Sequence, residues 1–246
     1  GEGAMALSAV IAPEPAAWLA PLLRRLGPDT LVLAPWALPR APAWIAPLVQ
    51  GAGPLPRLWA ALRRRTLPDQ EGPRLTWLPG WVAVEAAARL WSRGRTDRQM
   101  TARFALRALV DRAAAAWLPA GVSALYAPSC AAQRSFAVAR ARGLATALVH
   151  DLPLLRRLHE DLDQAARVHP QAAFLRRFRA SPAALRRQER EYVLADQVLV
   201  RGGFAEGLLR ERGLRVDLLP GPPPTPAAPP VPPAAVRDRP RTRWAH

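Results

Sequence analysis

Short apolar stretches alternate with longer segments of helical periodicity along this chain. Residues 6–12 have the composition of a buried strand that Pro13 ends, and 16–26 has the pattern of a helix that Gly27 ends. The apolar run at 30–34 predicts a second strand. Further strands are predicted at 74–78, 123–127, 145–149, 197–200 and 216–219.

Helical segments separate these strands, most clearly in the second half of the chain. In the helix predicted at 100–117, the apolar residues that recur at helical spacing are Met100, Phe104, Ala105, Leu109, Ala113 and Trp117. The polar stretch 92–99 predicts a break before it. The other predicted helices are 82–91, 131–142, a long region at 154–194 interrupted near Pro170 and Pro182, and 204–212, with short Pro-broken pieces at 36–65.

Short apolar strands separated by helices are typical of βαβ units. We therefore expect an α/β fold: a Rossmann-like parallel sheet with helices on both faces, spanning residues 1–219. Residues 220–233 are rich in Pro and Ala, so they exclude a helix or a central strand. The sequence thus predicts a linker or C-terminal tail at 220–246.

Composition excludes several classes of protein. Half of the residues are hydrophobic, so the chain as a whole is not disordered. The only cysteine, Cys130, excludes an internal disulfide framework and a multi-cysteine zinc site, and His159-Glu160 lacks the second histidine of a zinc-protease motif. We expect no metal. No apolar run approaches the roughly 18 residues of a membrane span, and residues 1–12 lack the basic start of a signal peptide.

The formal net charge of +16 has two explanations. All 35 basic residues are arginine, with neither lysine nor asparagine present, which is also the composition that a GC-rich genome produces. The basic segments have few aromatic residues and no nucleic-acid-binding motif, so we expect no nucleic-acid partner. The arginine-rich region 154–194, which includes Phe174 and Phe178, is either a solvated face or a surface for peripheral contact with an anionic membrane.

Candidate chemistry lies where predicted strands end, because open parallel sheets bind ligands at that edge. His150 follows the strand at 145–149, and there it is either a general base, a ligand of a substrate hydroxyl, or simply a loop residue. Asp151 beside it either accepts a hydroxyl, orients His150 or caps a helix.

Two other strand ends carry candidates for lining the same cleft. Arg201, Gly202, Gly203 and Phe204 precede a helix, where backbone N–H groups can face an anion, although a tight turn explains them equally well. Ser129 and Cys130 occupy a strand-to-helix turn. Since no Gly-x-Ser-x-Gly pattern surrounds them, we favour small residues in a tight turn over a nucleophile.

The order of motifs from 124 to 220 resembles a known family. It runs from the strand Ala-Leu-Tyr-Ala through a helix to Val149-His150-Asp151-Leu152-Pro153, then a long helical insertion. A glutamate-containing helix end, Leu-Ala-Asp-Gln-Val-Leu-Val at 194–200, Gly203-Phe204 and Leu219-Pro220-Gly221 follow. This order is similar to the end of the N-terminal domain of glycosyltransferase family four (group 1), which has the GT-B fold.

The resemblance implies a retaining glycosyltransferase that moves a sugar from a nucleotide-sugar donor to an acceptor. This chain would be the N-terminal, acceptor-binding half, with His150 and Asp151 as catalytic residues near the acceptor hydroxyl. Glu14, Ser129 and the segment 201–204 would line the cleft. The resemblance implies no cofactor beyond the nucleotide-sugar co-substrate. It is compatible with a lipid-linked acceptor, and it implies a location in the cytoplasm or at the inner face of the membrane.

Three features depart from that family. The loop Ala12-Pro13-Glu14-Pro15 lacks the usual glycines, no Glu-x7-Glu motif is present, and the Pro-rich segment stands where a donor-binding domain should begin. We therefore expect a truncated or incomplete enzyme whose donor half comes from the rest of the gene or from another chain. The alternatives are a non-catalytic remnant that serves as an interaction module, and a basic protein that binds membrane surfaces or nucleic acid.

Overall fold

Six parallel strands form one sheet in the part of the chain that the computed structural model describes, residues 7–35 and 80–219. Their order across the sheet is β2-β1-β3-β4-β5-β6. The strands are β1 (Leu7–Ile11), β2 (Leu31–Leu33), β3 (Val122–Pro128), β4 (Ala145–Val149), β5 (Gln197–Val200) and β6 (Val216–Leu218). The predicted pieces at 36–65 and 74–78 and the tail at 220–246 lie outside the described residues.

Helices surround this sheet, which confirms the Rossmann-like α/β prediction. They are α1 (Leu19–Leu26), α2 (Trp81–Ser92), α3 (Thr96–Trp117), α4 (Gln133–Ala141), α5 (Leu155–Val168), α6 (Pro182–Leu194) and α7 (Gly203–Arg210), with a 3₁₀ helix at Pro170–Phe178. The interruptions predicted near Pro170 and Pro182 are therefore confirmed. No helix in the described residues has both the length and the apolar character needed to cross a membrane.

The central strands are apolar throughout because helices cover the sheet. Val10 and Ile11 of β1, Leu125 of β3, Leu148 of β4 and Leu199 of β5 are at most 1% exposed. Such continuous burial is typical of parallel sheets and explains the short apolar runs of the sequence. In register, Val10 lies beside Val32 on one side and Tyr126 on the other.

The prediction for α3 was wrong in two respects. The helix begins at Thr96, inside the stretch expected to be a break, since Thr101 Oγ1 and Asp97 provide a polar, exposed first turn. The face predicted to be buried is wrong in part: Phe104 is buried as expected, whereas Leu109 and Trp117 are 43% and 40% exposed. Besides Phe104, the buried residues of the helix are Ala102, Arg107, Val110, Asp111 and Ala114. Because Arg107 and Asp111 lie on the buried face, its burial could not be recognised from the hydrophobic pattern.

The chain order places a switch point between β1 and β3. From β1 the chain continues to β2 on one side of β1. It then returns to β3 on the other side of β1, and β4, β5 and β6 follow in order on that side. Ligands of open α/β sheets characteristically bind outside the carboxyl ends of the strands at such a point. The residues that follow β1, β3 and β4 therefore define the candidate site.

Candidate functional site

A buried guanidinium occupies the carboxyl edge at the switch point. The side chain of Arg107, on α3, is 2% exposed. Its Nη1 donates to the Ser129 carbonyl oxygen at 2.5 Å, and its Nη2 donates to Asp151 Oδ2 at 2.6 Å and to Glu14 Oε1. Arg107 thus joins the chain segments that follow β1, β3 and β4, and three of the predicted site residues meet at it.

The charges around Arg107 balance each other. Burial opposes the charge of the guanidinium, but Asp151 and Glu14 outweigh burial and raise the pKa of Arg107. Burial would raise the pKa of Glu14, yet hydrogen bonds and charges from Arg103 and Arg107 lower it overall. Arg103 Nη2 lies 2.6 Å from Glu14 Oε1. Both carboxylates therefore serve an internal ion-pair network.

The neighbour of the His150 ring is Tyr192, and of the three roles left open for Asp151 the structure does not support orienting His150. Its Nδ1 lies 2.7 Å from the Tyr192 hydroxyl, and its backbone N–H donates to the Leu199 carbonyl. Asp151, whose two carboxylate oxygens face Arg107, makes no hydrogen bond to the His150 ring in the described residues. Burial lowers the pKa of His150, and the nearby charge of Asp151 acts in the opposite direction. His150 is therefore a neutral, half-buried imidazole that Tyr192 orients.

A cavity of about 670 Å³ opens beside His150, between α5 and α7. Its walls are mainly apolar, from Pro153, Leu154 and Leu158 on one side and Ala205 and Leu208 on the other. The lining also includes the charged residues Arg157, Glu160, Asp161, Glu211 and Arg212. A cavity of this size and composition suits a small organic molecule.

The N-terminus of α4, which follows β3, is closed by two buried carboxylates. Glu191 accepts hydrogen bonds from the backbone N–H groups of Cys130, Ala132 and Gln133, and Asp111 accepts from those of Arg134 and Ser135. Both side chains come from neighbouring helices, α6 and α3. Since the free N–H groups of this helix end already face carboxylates, it is not open to a ligand phosphate.

Burial strongly perturbs the groups around this helix end. It raises the pKa of Glu191, while hydrogen bonds from the Ala132 and Cys130 N–H groups stabilise the carboxylate and act against that rise. Arg187 Nη1 lies 2.9 Å from Asp111 Oδ2 and supplies a positive charge. Neither carboxyl was a predicted site residue. The sequence signal for Glu191 was its place in the helix-end signature.

Ser129 and Cys130 lie inside the protein, with no exposed surface. Burial, with the adjacent charge of Glu191, raises the pKa of the Cys130 thiol. Cys130 has a φ of 65°, in the left-handed region that favours glycine. The pair therefore forms a tight buried turn, and in the structure Ser129 contributes its carbonyl oxygen to Arg107 rather than a hydroxyl to an open cleft.

The predicted glycine-containing turn after β5 is exposed. Arg201 and Gly202 follow β5 at the surface, and α7 begins at Gly203 without a side-chain cap. This helix end differs from that of α4 because no carboxylate hydrogen-bonds to it in the described residues. Phe204 belongs to the first turn of α7.

The aspartate of the helix-end signature has a structural role. Asp196 Oδ2 accepts hydrogen bonds from the Thr146 backbone N–H at 2.8 Å and from Thr146 Oγ1 at 3.0 Å. Thr146 lies on β4, four residues before His150. The signature therefore fixes both the turn after β3, through Glu191, and the start of β4. No cluster of three or more potential metal ligands occurs in the described residues.

The fold and this edge define the class: a Rossmann-like parallel α/β domain with an internal arginine at its switch point and a histidine-lined cavity beside it. No protein-family model matches the chain, and no curated protein matches it.

Solved structures that are similar include a UDP-glucosyltransferase from Polygonum tinctorium capable of glucosylating indoxyl, in complex with 3,4-dichloroaniline. Its TM-score is 0.41 and its identity 18%, over 89% of this chain and 53% of that one. A UGT protein of Phytolacca americana, complexed with UDP-2-fluoro-glucose and pterostilbene, has a TM-score of 0.40 and 18% identity, over 80% and 46%. A UGT protein of Medicago truncatula, complexed with UDP-glucose, has a TM-score of 0.41 and 13% identity, over 87% and 50%. This chain thus spans about half the length of the structures it matches.

Proposed function

We propose that this chain is the acceptor-binding half of a retaining glycosyltransferase that uses a nucleotide sugar as donor. The observation that carries the proposal is the strand end of β4, where His150 lines a cavity of about 670 Å³ and Asp151 is fixed by the buried Arg107. This is the strand end at which the resemblance to glycosyltransferase family four implies the reacting centre.

In this proposal the residues have separate roles. His150 contacts the acceptor, because it is the residue of the strand end that lines the cavity. Asp151 is a positioning residue, since Arg107 engages both of its carboxylate oxygens. Arg201, Gly202, Gly203 and Phe204 border the cleft toward the donor, while Glu14 and Ser129 support it through Arg107. The donor-binding half comes from the rest of the gene or from a second chain, and the reaction needs no metal or further cofactor.

Translation of the coding DNA beyond the His246 codon, in all three frames, is the first test. We expect a second Rossmann-like domain with a Glu-x7-Glu motif. The joined protein should transfer sugar from a labelled nucleotide sugar, and the product should keep the anomeric configuration of the donor.

Variants of the joined protein test the site. His150→Ala should lower transfer at least about tenfold, equivalent to about 1.4 kcal/mol of transition-state stabilisation. The exposed His169→Ala is the matched control. Transfer that is unchanged in both His150→Ala and Asp151→Ala would contradict the site, and an inverted product would contradict retention.

Peripheral binding to an anionic membrane is a second proposal, with its own observation. Val168, Phe174 and Phe178 are 64%, 56% and 40% exposed at the end of α5 and along the 3₁₀ helix. Many arginines of the region pair with acids, as Arg179 does with Asp163, but Arg167 and Arg177 have no ion pair among the described residues. Exposed aromatic residues beside unpaired arginines suit the surface of an anionic bilayer, where a lipid-linked acceptor would reside on the cytoplasmic side.

Vesicle co-sedimentation tests this surface. We expect binding to vesicles of phosphatidylglycerol and phosphatidylcholine that decreases with salt and is lost in the double variant Phe174→Ala/Phe178→Ala. The control is Val193→Ala, which truncates an apolar residue of α6 that is more exposed than either phenylalanine. Equal binding to pure phosphatidylcholine would contradict the electrostatic part of the proposal.

A further inference from the structure

The cavity beside His150 combines apolar walls with a neutral polar group. Pro153, Leu154 and Leu158 form one wall, and Ala205 and Leu208 form the other. A volume of about 670 Å³ falls in the range of pockets that enclose small organic ligands. An apolar ligand surface gains free energy by leaving water for such walls, whereas a sugar surface would lose hydrogen bonds with water there.

The charges at the rim do not favour an ionic ligand. Arg157, a cation of the lining, lies 3.2 Å from Asp161 and 3.7 Å from Glu160. Two acids of α5 thus face this one guanidinium, and Glu211 and Arg212 add one charge of each sign, so the five charged lining residues sum to −1. That charge repels an anion, and the apolar walls would leave a cation without its hydration. A ligand that fits the interior is uncharged.

The geometry of Tyr192 determines which nitrogen of His150 carries the proton. Tyr192 is 9% exposed, and its hydroxyl lies 2.7 Å from His150 Nδ1. Burial raises the pKa of Tyr192, so the phenol keeps its proton. The nearby Ser129 hydroxyl acts against that rise in the pKa of Tyr192, but it has no hydrogen-bond partner among the described residues. His150 Nδ1 is thus the acceptor available to the phenol.

The opposite arrangement is unfavourable. Among the described residues, His150 Nδ1 is the only group in hydrogen-bond geometry with the Tyr192 hydroxyl. If Nδ1–H donated to the phenol oxygen, the Tyr192 O–H would therefore have no acceptor in that geometry, and an unpaired buried donor is costly. Tyr192 therefore donates, Nδ1 accepts, and the proton of the neutral ring resides on Nε2. Because Nδ1 is engaged, Nε2 is the nitrogen that remains for a ligand in the cavity.

We propose that the cavity binds the apolar body of an uncharged, hydroxyl-bearing acceptor whose oxygen accepts a hydrogen bond from His150 Nε2–H, in the tautomer that Tyr192 holds. The role of this ligand as a sugar acceptor rests on the proposed function, whereas the ligand class and the tautomer of His150 do not. A ring nitrogen that already carries a proton cannot take one from the ligand. His150 therefore orients the hydroxyl instead of acting as its general base, and Tyr192 is a positioning residue.

Long-range proton–nitrogen NMR correlation tests the tautomer in the isolated chain. The sequence has four histidines, so His150→Gln identifies the His150 signals. At neutral pH we expect an unprotonated Nδ1 and a protonated Nε2. Tyr192→Phe, which keeps the ring but removes the hydroxyl, should shift the nitrogens toward a mixture of tautomers. The control is Tyr126→Phe, which changes the other tyrosine of the chain.

A protonated Nδ1 in the wild-type protein would overturn this part of the proposal. So would a Tyr192→Phe spectrum in which the nitrogen shifts of His150 match those of the wild type. Neither result depends on the existence of a transferase activity, because the measurement reports only where the proton resides.

Titration with small naphthalene derivatives tests the ligand class. We expect 2-naphthol to shift the methyl signals of Leu154 and Leu158 together with the ring signals of His150. Naphthalene-2-sulfonate, which has the same ring but a charge, should bind at least about tenfold more weakly, and so should glucose. Leu158→Asp should weaken 2-naphthol binding at least about tenfold, whereas Leu90→Asp, at an exposed site on α2, should not.

Each outcome decides one question. Equal affinity for 2-naphthol and the sulfonate, or shifts confined to other regions, would overturn the ligand class; the wild-type shifts decide this even if Leu158→Asp fails to fold. Binding of 2-naphthol at His150 without sugar transfer by the joined protein would overturn the proposed function alone. Sugar transfer to a polar acceptor without 2-naphthol binding would overturn this proposal and leave the function standing.

Discussion

The two sides of the sheet's carboxyl edge differ in how their polar groups are satisfied. On the side of β1 and β3, Arg107 pairs with Glu14 and with Asp151, which reaches it from the end of β4, and Glu191 and Asp111 occupy the end of α4. On the side of β4 and β5, His150 lines a cavity, and α7 begins at an exposed glycine turn.

This difference relocates the expected binding region. A doubly wound sheet favours ligands at its switch point, which here lies between β1 and β3. The protein fills that point with its own charges, and the cavity lined by His150 lies one strand further along, beside β4. A second cavity, of about 430 Å³, is lined by Glu14 and by residues of α2 and α3. Topology identifies the edge of the sheet, and the internal ion pairs decide which part of the edge is open.

Removal of the Arg107 guanidinium, on the β1–β3 side, should cause the largest loss of stability. Arg107→Met leaves Asp151 and Glu14 partly buried without their partner, so we expect a loss of about 3–5 kcal/mol of unfolding free energy, measured by urea denaturation. The control Arg103→Met removes a more exposed partner of Glu14 and should cost less than about 1 kcal/mol. Equal losses in the two variants would mean that the β1–β3 side is not held by Arg107.

Removal of a capping carboxylate should have the next largest effect. Glu191→Ala leaves the N–H groups of Cys130, Ala132 and Gln133 buried without acceptors, at a cost of about 2–4 kcal/mol. The control is Glu189→Ala, which breaks an exposed pair with Arg156 and should cost under about 1 kcal/mol. Hydrogen exchange at Ala132 that stays as slow as in the wild type would contradict the closed helix end.

The ionisation of His150 should have the smallest effect. Its pKa in the folded protein lies below the usual 6.5, so between those two values the unfolded chain binds more protons than the folded one. The contribution of neutral His150 to the free energy of unfolding therefore increases with pH through that interval. It is fully present above the interval and is lost as the pH falls. The free-energy difference between wild type and His150→Gln should change by about 1.4 kcal/mol per unit of pKa shift, or less.

Urea denaturation from about pH 5 to pH 8 measures that difference, with the exposed His169→Gln as control. A wild-type advantage that grows as the solution becomes more acidic would show that the β4 side does not keep His150 neutral.

The alternation of strands and helices was predictable because parallel strands and their helices repeat clear apolar patterns. The strand 145–149 was predicted with its observed bounds, as was 197–200. The buried face of α3 was not predictable from hydrophobicity, because Arg107 and Asp111 are buried for their hydrogen bonds. A hydrophobic pattern cannot reveal a polar residue whose partners lie more than twenty positions away, as Ser129 and Asp151 do.

The candidate site was only partly predictable, because the sequence shows which residues follow a strand but not which distant residues pack against them. His150 and Asp151 follow a strand, so topology placed them at the edge of the sheet. The partner of His150, Tyr192, was not predictable, since it belongs to α6 and comes near β4 only through packing. The roles that we assign to these residues remain proposals.

The position of Cys130 makes the protein's only thiol a reporter of unfolding. It is fully buried, and burial raises its pKa, so alkylating and oxidising reagents lack both access and thiolate in the native fold. When a molecule unfolds, the Cys130 sulfur becomes accessible to these reagents. The fraction of thiol that a maleimide dye labels would therefore count the unfolded molecules in a preparation without any engineered cysteine.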